Sequence, residues 1–317
     1  MKIVVLDGYT INPGDLSWSR LEALGDVEIH ARTQEPLAAA RCAGAQIVLT
    51  SKTPVSAETI RQLPCLRYIG VLATGYNNVD VAAARAQGVV VTNIPSYGTA
   101  SVSQFAIALL LELCHHVGLH NDAVRAGEWS RNPDWSFWKT PLIELEGKTM
   151  GIIGFGRIGR ETGRIAQALG MRVVAADAQP RHPPDWPGFA WLEVEQLLAA
   201  SDVVSLHAPL FPETEGLMNA RRLALMKPGA FLINTSRGPL VVDRDLADAL
   251  NGGTIAGAAL DVLTLEPPPP DNPLIGANNC IVTPHIAWAT REARARLLAI
   301  AVENLEKFLA GIPQNIV

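Results

Sequence analysis

The sequence has few cysteines, no excess of positive charge and no long apolar run. The formal net charge of −5 excludes the strongly basic face of a typical nucleic-acid-binding protein. The longest apolar run, at 105–111, is too short to span a bilayer. Residues 1–7 have the pattern of a strand that starts at once, so we expect no signal peptide. The cysteines lack the C-x-x-C spacing of zinc or redox sites, so we expect free thiols in a reducing cytoplasm at Cys42, Cys65, Cys114 and Cys280.

The chain does contain a regular alternation of short apolar strands and helical segments. Hydrophobic residues make up 48% and charged residues 18% of its 317 residues, which is enough to build large cores in two domains. Such alternation predicts parallel sheets covered by helices on both faces. Strands are predicted at 3–6, 27–29, 47–49, 68–70, 89–91, 149–153, 172–177, 203–206, 231–234, 255–259 and 280–282. Helices are predicted at 16–24, 36–43, 57–63, 79–86, from about 101, and at 157–169, 193–199, 219–225, 243–250 and 291–309.

We therefore expect an α/β protein with two doubly wound parallel-sheet domains and a cleft between them. A flavodoxin-like substrate domain would comprise residues 1–98 and 288–317, because the last long helix is expected to return to the first domain. A Rossmann dinucleotide-binding domain would comprise residues 99–287, with a sheet of six or seven strands.

A glycine-rich turn follows the predicted strand at 149–153. In Gly154-Phe155-Gly156-Arg157-Ile158-Gly159, the glycines permit a tight turn, close approach of a pyrophosphate and close helix packing, although an ordinary turn is the alternative. Asp177 ends the next strand, where a carboxylate can bind ribose hydroxyls and repel a 2′-phosphate. We predict NAD, with NADP disfavoured; a plain surface acid is the alternative, and Arg181 nearby would weaken the selection.

One loop of the first domain also has the character of a binding site. The segment 71–78 directly follows a predicted strand, at the sheet edge where open α/β sheets bind ligands. Its small residues Ala73, Thr74 and Gly75 leave backbone N–H groups accessible to a carboxylate. The alternative is an ordinary loop in which Asn78 caps the next helix.

The segment from about 120 to 148 is rich in aromatic residues and prolines. We interpret it as a dimerisation arm, with local packing as the alternative, because it contains Trp129, Trp135, Phe137 and Trp138 among polar residues. His115, His116 and His120 precede it without a carboxylate or cysteine partner at matching spacing. We therefore predict solvated or capping histidines and no metal site.

Three residues with complementary chemistry follow predicted strand ends in the second domain. Arg237 can bind a carboxylate with its planar fork and polarise an adjacent carbonyl. His285 can exchange a hydroxyl proton as general acid and base, and Glu266 can orient the imidazole and favour its protonated form. Singly, each has an alternative: Arg237 as a surface ion-pair partner, His285 as a satisfied loop histidine and Glu266 as a solvated acid before a proline turn. Together behind a dinucleotide motif, they predict reversible reduction of a ketone.

These motifs resemble the D-isomer-specific 2-hydroxyacid dehydrogenases over nearly the full chain. The resemblance includes the glycine motif with Asp177, and the motifs His207-Ala208-Pro209-Leu210 with Thr214, Asn234-Thr235-Ser236-Arg237-Gly238, Leu260-Asp261-Val262 with Glu266-Pro267, and Thr283-Pro284-His285-Ile286-Ala287. It implies the roles given above for Arg237, Glu266 and His285, carboxylate binding at 73–75, and a homodimer. It also implies cofactor contacts from His207, Pro209, Thr214, Thr235, Arg237, Asp261, His285 and Ala287.

Within that family, the motifs at 73–80, 97–102 and 285–290 are most similar to the glycerate dehydrogenase (hydroxypyruvate reductase) branch. The resemblance implies NAD(H)-dependent interconversion of hydroxypyruvate or glyoxylate with D-glycerate or glycolate. Two departures are Ser103-Gln104, where many members carry Ala-Glu, and Ala287, where many carry glycine. The alternatives are an NAD(H)-sensing corepressor-type protein and an enzyme that oxidises another small anion, such as formate or phosphite.

Overall fold

The chain forms two compact units. The computed structural model describes all 317 residues, of which Met1–Gly98 and Trp288–Val317 form the first unit and Thr99–Ala287 the second. The first unit is discontinuous because the last long helix packs with the N-terminal strands. Each unit is an α/β layer structure with its own core.

All twelve strands lie in parallel sheets. In chain order they are β1 (Lys2–Val5), β2 (Asp26–Ile29), β3 (Ile47–Thr50), β4 (Tyr68–Val71), β5 (Val90–Thr92), β6 (Thr149–Ile153), β7 (Arg172–Ala176), β8 (Ala190–Trp191), β9 (Val203–Leu206), β10 (Phe231–Asn234), β11 (Gly257–Leu260) and β12 (Cys280–Val282). The first unit has the strand order β2-β1-β3-β4-β5 and the second β12-β11-β10-β9-β6-β7-β8. In both sheets the order reverses beside the first strand, which is the arrangement that opens a ligand crevice at the carboxyl ends.

Twelve α-helices cover the two sheets. They are α1 (Gly8–Ile11), α2 (Ser19–Glu22), α3 (Ala38–Arg41), α4 (Ala57–Arg61), α5 (Val81–Ala86), α6 (Thr99–His115), α7 (Val117–Arg125), α8 (Arg157–Ala168), α9 (Val194–Ala200), α10 (Ala220–Leu223), α11 (Asp243–Asn251) and α12 (Arg291–Leu309). Short 3-10 turns lie at Glu35–Leu37, Trp129–Arg131 and Gly238–Leu240. No single helix is long and apolar enough to cross a membrane, whereas the bent pair α6 and α7 meets that length and composition test only when joined.

Each sheet is buried on both faces, which explains why the central strands are apolar at consecutive positions. In the first unit, one layer joins Ile3 and Val5 of β1 to Leu297 and Leu305 of α12. In the second unit, α6 packs on α8 and contributes Leu110 to the core beneath the sheet. The apolar periodicity of α6 and α12 therefore corresponds to buried faces.

The structure corrects the bounds of one predicted helix and gives the number of strands in the second sheet. The predicted helix at 16–24 is only the single turn of α2, because the Asn12 side chain accepts hydrogen bonds from the N–H groups of Gly14 and Leu16 and holds the preceding segment as a loop. The second sheet has seven strands, since the short edge strand β8 pairs with β7. A two-residue strand is too short to give a sequence periodicity.

Candidate active site

The carboxyl ends of the strands in the second unit form one aligned row. Ile153 of β6 pairs with Ala176 of β7 and Leu206 of β9, and that register continues through Asn234 of β10 to the last residues of β11 and β12. Adjacent strands lie about 4.8 Å apart. The residues that immediately follow these strands therefore line a single edge, and they are Gly154, Asp177, His207, Thr235, Asp261 and Thr283.

The glycine loop after β6 has the backbone geometry that its sequence predicts. Gly154 has a φ of +92°, and a Cβ there would lie 2.5 Å from the backbone N of Ala208 on the neighbouring strand end. A Cβ on Gly159 would lie 2.3 Å from the Gly154 carbonyl oxygen. By contrast, nothing lies within 4 Å of a Cβ built on Gly156, the residue before α8. The loop thus exposes backbone at the helix N-terminus, where free N–H groups favour an anion.

Asp177 is bonded to this loop. Its Oδ2 accepts a hydrogen bond of 2.7 Å from the N–H of Phe155, and its Oδ1 accepts one of 2.9 Å from the N–H of Gln179. The two bonds fix the carboxylate at the end of β7, beside the glycines. Arg181 donates to the Gln179 side chain at 2.6 Å, so its guanidinium is held by a neighbour rather than by Asp177.

Two buried polar atoms of the row have no protein partner. These are His207 Nδ1 and Thr235 Oγ1. The other ring nitrogen of His207 contacts Ser205 Oγ at 2.9 Å, and burial lowers the pKa of His207 to about 4, so the ring is neutral at physiological pH. A buried polar atom without a partner costs about 1–3 kcal/mol. A ligand with hydrogen-bonding groups along this edge would satisfy both atoms, so the row fits a dinucleotide.

The remaining residues of the 207–214 motif shape their own loop. Thr214 Oγ1 donates to the Pro209 carbonyl oxygen at 2.8 Å and accepts from the Phe211 N–H at 2.8 Å. Arg157 and Ile158 are the first two residues of α8, adjacent to the open Gly156.

Glu266 and His285 are in direct contact. The Nδ1 atom of His285 lies 2.6 Å from Glu266 Oε2, while Glu266 Oε1 accepts a hydrogen bond of 3.1 Å from the N–H of Leu263. Because a carboxylate accepts hydrogen bonds, Nδ1 carries the proton in this pair, and Nε2 is the nitrogen that can exchange a proton with a substrate. Both side chains keep partial access to solvent, at 29% for His285 and 36% for Glu266.

The loop that carries His285 is organised by Asp261. This residue is 1% exposed and accepts three hydrogen bonds, from Thr283 Oγ1 at 2.6 Å and from the N–H groups of Ile286 and Ala287 at 2.8 Å each. Burial raises the pKa of the Asp261 carboxyl above its usual value. Asp261 therefore fixes the segment on both sides of His285.

Arg237 lies on the same edge, two strands away from His285. The strand β11 separates β10 from β12, which puts the two strand ends about 10 Å apart. The guanidinium is exposed and donates to the Ser236 carbonyl oxygen at 2.7 Å. Its turn is shaped by Asn234, whose side chain accepts from the Ser236 N–H and donates to the Arg237 carbonyl oxygen.

In the first unit, the segment Ala73-Thr74-Gly75 follows β4. Its three backbone N–H groups donate to no acceptor within the protein, so they are available to a ligand. The interpretation of Asn78 as a helix cap is wrong. Asp80 caps α5 by accepting from the Ala83 N–H at 2.8 Å, whereas the Asn78 side chain donates to Thr53.

Comparison with known proteins assigns the chain to a family. The model of the D-isomer specific 2-hydroxyacid dehydrogenase NAD-binding domain matches residues 107–287, which is more than half of the chain. The chain belongs to the D-isomer specific 2-hydroxyacid dehydrogenase family. This dehydrogenase is 57% identical to hydroxypyruvate reductase of Blautia hydrogenotrophica over 100% of the chain and 99% of that relative. It is 42% identical to glycerate dehydrogenase of Methylorubrum extorquens over 87% of each protein.

Solved structures agree with the family assignment. D-2-hydroxyisocaproate dehydrogenase superposes with a TM-score of 0.85 at 25% identity, covering 100% of this chain and 99% of the other. An NADPH-dependent glyoxylate/hydroxypyruvate reductase from Sinorhizobium meliloti superposes with a TM-score of 0.84 at 30% identity, covering 100% and 97%. The prediction of an α/β dehydrogenase that interconverts a keto acid and a hydroxy acid with a nicotinamide cofactor is confirmed.

The two departures of this dehydrogenase from common family residues differ in their burial and hydrogen bonds. Ser103 is fully buried and donates to the Thr99 carbonyl oxygen of its own helix, while Gln104 is exposed. Ala287 is also buried, and its carbonyl oxygen accepts a hydrogen bond of 2.6 Å from Ser101 Oγ. Neither of these departures is a partner in the Glu266–His285 hydrogen bond.

Sequence reasoning missed two residues that support this site. Thr283 stands in the aligned row and donates to Asp261, a contact that its strand-end position in the Thr283-Pro284-His285 motif would have suggested. Gly238 packs against the segment that carries Glu266, since a Cβ there would lie 1.9 Å from the Leu263 carbonyl oxygen. No local sequence signal reveals that second contact.

Proposed function

We propose that this dehydrogenase reduces hydroxypyruvate, and glyoxylate as a second substrate, to D-glycerate and glycolate with NADH. The proposal rests on the Glu266–His285 contact, which lies at the carboxyl edge of the second sheet. This contact orients a proton donor at the edge where a dinucleotide fits. The names and identities of the two curated relatives support this substrate class.

His285 acts as the general acid in the direction of reduction. Glu266 holds the proton on Nδ1 and stabilises the imidazolium, so Nε2 gives its proton to the keto oxygen as negative charge develops there. When bound at this edge, NADH would supply the hydride for the keto carbon. In the oxidation direction, neutral His285 removes the hydroxyl proton through the same nitrogen.

The substrate carboxylate and carbonyl are recognised by separate groups. The open N–H groups of residues 73–75 bind the carboxylate, and Arg237 offers a planar fork to the carboxylate and the adjacent carbonyl. The Arg237 guanidinium donates to the carbonyl oxygen of its backbone neighbour Ser236 and to no carboxylate, so substrate binding requires no break in an ion pair.

The cofactor is NAD(H) in preference to NADP(H). The fixed carboxylate of Asp177 stands where it can accept hydrogen bonds from ribose hydroxyls, and it would repel a 2′-phosphate. The cofactor is held by the glycine loop, with further contacts from His207 and Thr235.

The segment 120–148 serves as a dimerisation arm. Trp135 and Trp138 are 88% and 68% exposed, which is unusual for tryptophan and is typical of a surface that a second copy covers. We place the enzyme in a reducing cytoplasm, because its four cysteines are free thiols.

A panel of 2-keto acids assayed at 340 nm with NADH and with NADPH tests the substrate and cofactor. We expect the highest kcat/KM with hydroxypyruvate and NADH. Turnover of formate or phosphite with NAD, but of no 2-keto acid, would reverse the proposal. Tight NADH binding without any turnover would instead favour a cofactor-sensing protein.

A further inference from the structure

The carboxylate loop (Ala73–Gly75) is held in place by its neighbour, the segment 93–94. The Ile94 N–H donates to the Ala73 carbonyl oxygen at 3.0 Å, and Thr74 Oγ1 donates to the Ile94 carbonyl oxygen at 2.8 Å. The Asn93 side chain donates to the Thr74 carbonyl oxygen at 2.7 Å. These bonds occupy the carbonyl oxygens of Ala73 and Thr74, whereas the N–H groups of the loop have no acceptor within the protein.

Asn93 is fixed in turn by two distant residues. Its carbonyl oxygen accepts a hydrogen bond of 3.0 Å from the side chain of Asn304, in the C-terminal half of α12. Its N–H donates to the Asn315 carbonyl oxygen at 3.1 Å. Asn93 therefore links the carboxylate loop to α12 and to Asn315, which follows α12.

The side-chain amide of Asn304 makes hydrogen bonds within the protein through both its nitrogen and its oxygen. Its side chain is fully buried, and its Oδ1 accepts from Gln314 Nε2 at 3.2 Å and from Asn315 Nδ2 at 2.8 Å. A buried amide with donor and acceptor both satisfied specifies one arrangement of its partners, because any other arrangement leaves a polar atom unpaired.

The C-terminal segment (314–317) completes this network beside the first sheet. Ile316 forms an antiparallel bridge with Thr92 of β5, and the Val317 N–H donates to the Val91 carbonyl oxygen at 3.0 Å. The segment is thus paired along the edge of β5, and Asn93 follows β5 directly.

We propose that Asn304 and the C-terminal segment are positioning elements for substrate binding, acting through Asn93 on the carboxylate loop. This inference rests on the proposed role of that loop. Removal of the Asn304 side chain leaves the Asn93 carbonyl oxygen unpaired. Asn93 is then free to shift, and its hydrogen bond to the Thr74 carbonyl oxygen no longer holds the loop in one position. Because a misplacement of about 1 Å in a binding site lowers rates by up to 10²-fold, the expected effect is large for a residue that touches no substrate.

The test compares Asn304→Leu with Val302→Ala in the full-length enzyme. Leucine has the same branching and number of side-chain heavy atoms as asparagine, although it is bulkier, and it bonds to neither Asn93 nor the C-terminal segment. Val302 lies in the same helix, is 1% exposed and packs in the core of the first unit, so its truncation destabilises α12 without touching the network. Both variants are assayed well below the lower of their Tm values, with glyoxylate and hydroxypyruvate.

We expect Asn304→Leu to raise the KM for both keto acids about 10-fold or more and to leave the Kd for NADH, measured by fluorescence, within twofold. The NADH site is unaffected because the glycine loop and Asp177 belong to the second unit. Val302→Ala should lower Tm without raising either KM by more than twofold. If the two variants raise KM equally, or if Asn304→Leu leaves KM unchanged, the inference is wrong.

Deletion of residues 314–317 provides a second test if Asn304→Leu does not fold. It removes the acceptor for the Asn93 N–H and both donors to Asn304, and we expect the same selective rise in KM. An unchanged KM in this deletion would overturn the inference. Absence of keto-acid turnover in the unmodified enzyme would instead contradict the proposed function, so the two failures are distinguishable.

Discussion

Replacing Gly238 by alanine should push the turn that carries Arg237 away from the segment that carries Glu266. Gly238 follows Arg237 directly, and a Cβ built on it would lie 1.9 Å from the Leu263 carbonyl oxygen and 2.4 Å from the Thr264 backbone N. The N–H of Leu263 also holds Glu266, the partner of His285. The substitution therefore pushes the Arg237 turn and the Glu266 segment apart.

The size of this effect follows from the contact distance. Ordinary contact begins at 3.4 Å, so the two backbone segments must separate by about 1.5 Å. Neither segment can give way through a flexible side chain, because the atoms in the way are backbone atoms. We expect a loss of about 2–4 kcal/mol in the free energy of unfolding and a fall in kcat/KM of about 10²-fold or more.

Gly229→Ala is the matched control. Nothing lies within 4 Å of its Cβ, and it belongs to the same unit, so both substitutions reduce the freedom of the unfolded chain alike. Urea unfolding gives the stability of each variant, and NADH oxidation with hydroxypyruvate at 340 nm gives the rate. A Gly238→Ala enzyme with the stability and kcat/KM of Gly229→Ala would refute the reasoning.

Three further predictions concern single side chains. His285→Ala should lower kcat by about 10²–10⁴-fold while NADH fluorescence shows unchanged cofactor binding; an unchanged rate would remove His285 from the mechanism. Asp177→Ala should raise kcat/KM with NADPH relative to NADH, and an unchanged ratio would place ribose recognition elsewhere. Arg294 holds the pKa of the Asp15 carboxyl below its usual value, so its stabilisation is present above about pH 4 and is lost as the pH falls through the lowered folded pKa. Urea unfolding of Asp15→Asn between pH 3 and 7 should therefore show a flatter acid limb than the unmodified enzyme.

Local patterns in the sequence were sufficient to predict the fold class and the character of the site. The glycine loop is defined by residues close together in the chain, and a run of apolar residues predicts a buried parallel strand whatever lies beside it. Because parallel strands end at a common edge, the positions of Arg237, Glu266 and His285 just beyond strand ends predicted that they would gather there. The assigned family confirms the predicted class of reaction, the interconversion of a keto acid and a hydroxy acid, while the roles of these three residues stay predictions.

Contacts between residues far apart in the chain depend on the tertiary structure. Asp261 could be named from its motif, but its three hydrogen bonds to the loop around His285 depend on the pairing of β11 with β12. Asn304 and Asn93 are 211 positions apart, and neither has a sequence pattern that pairs it with the other. Periodicity records which face of an element is buried, whereas a polar contact depends on the register and packing of two elements. The sequence therefore predicts the chemistry of this enzyme, while the packing of the folded chain sets the positions of the groups that perform it.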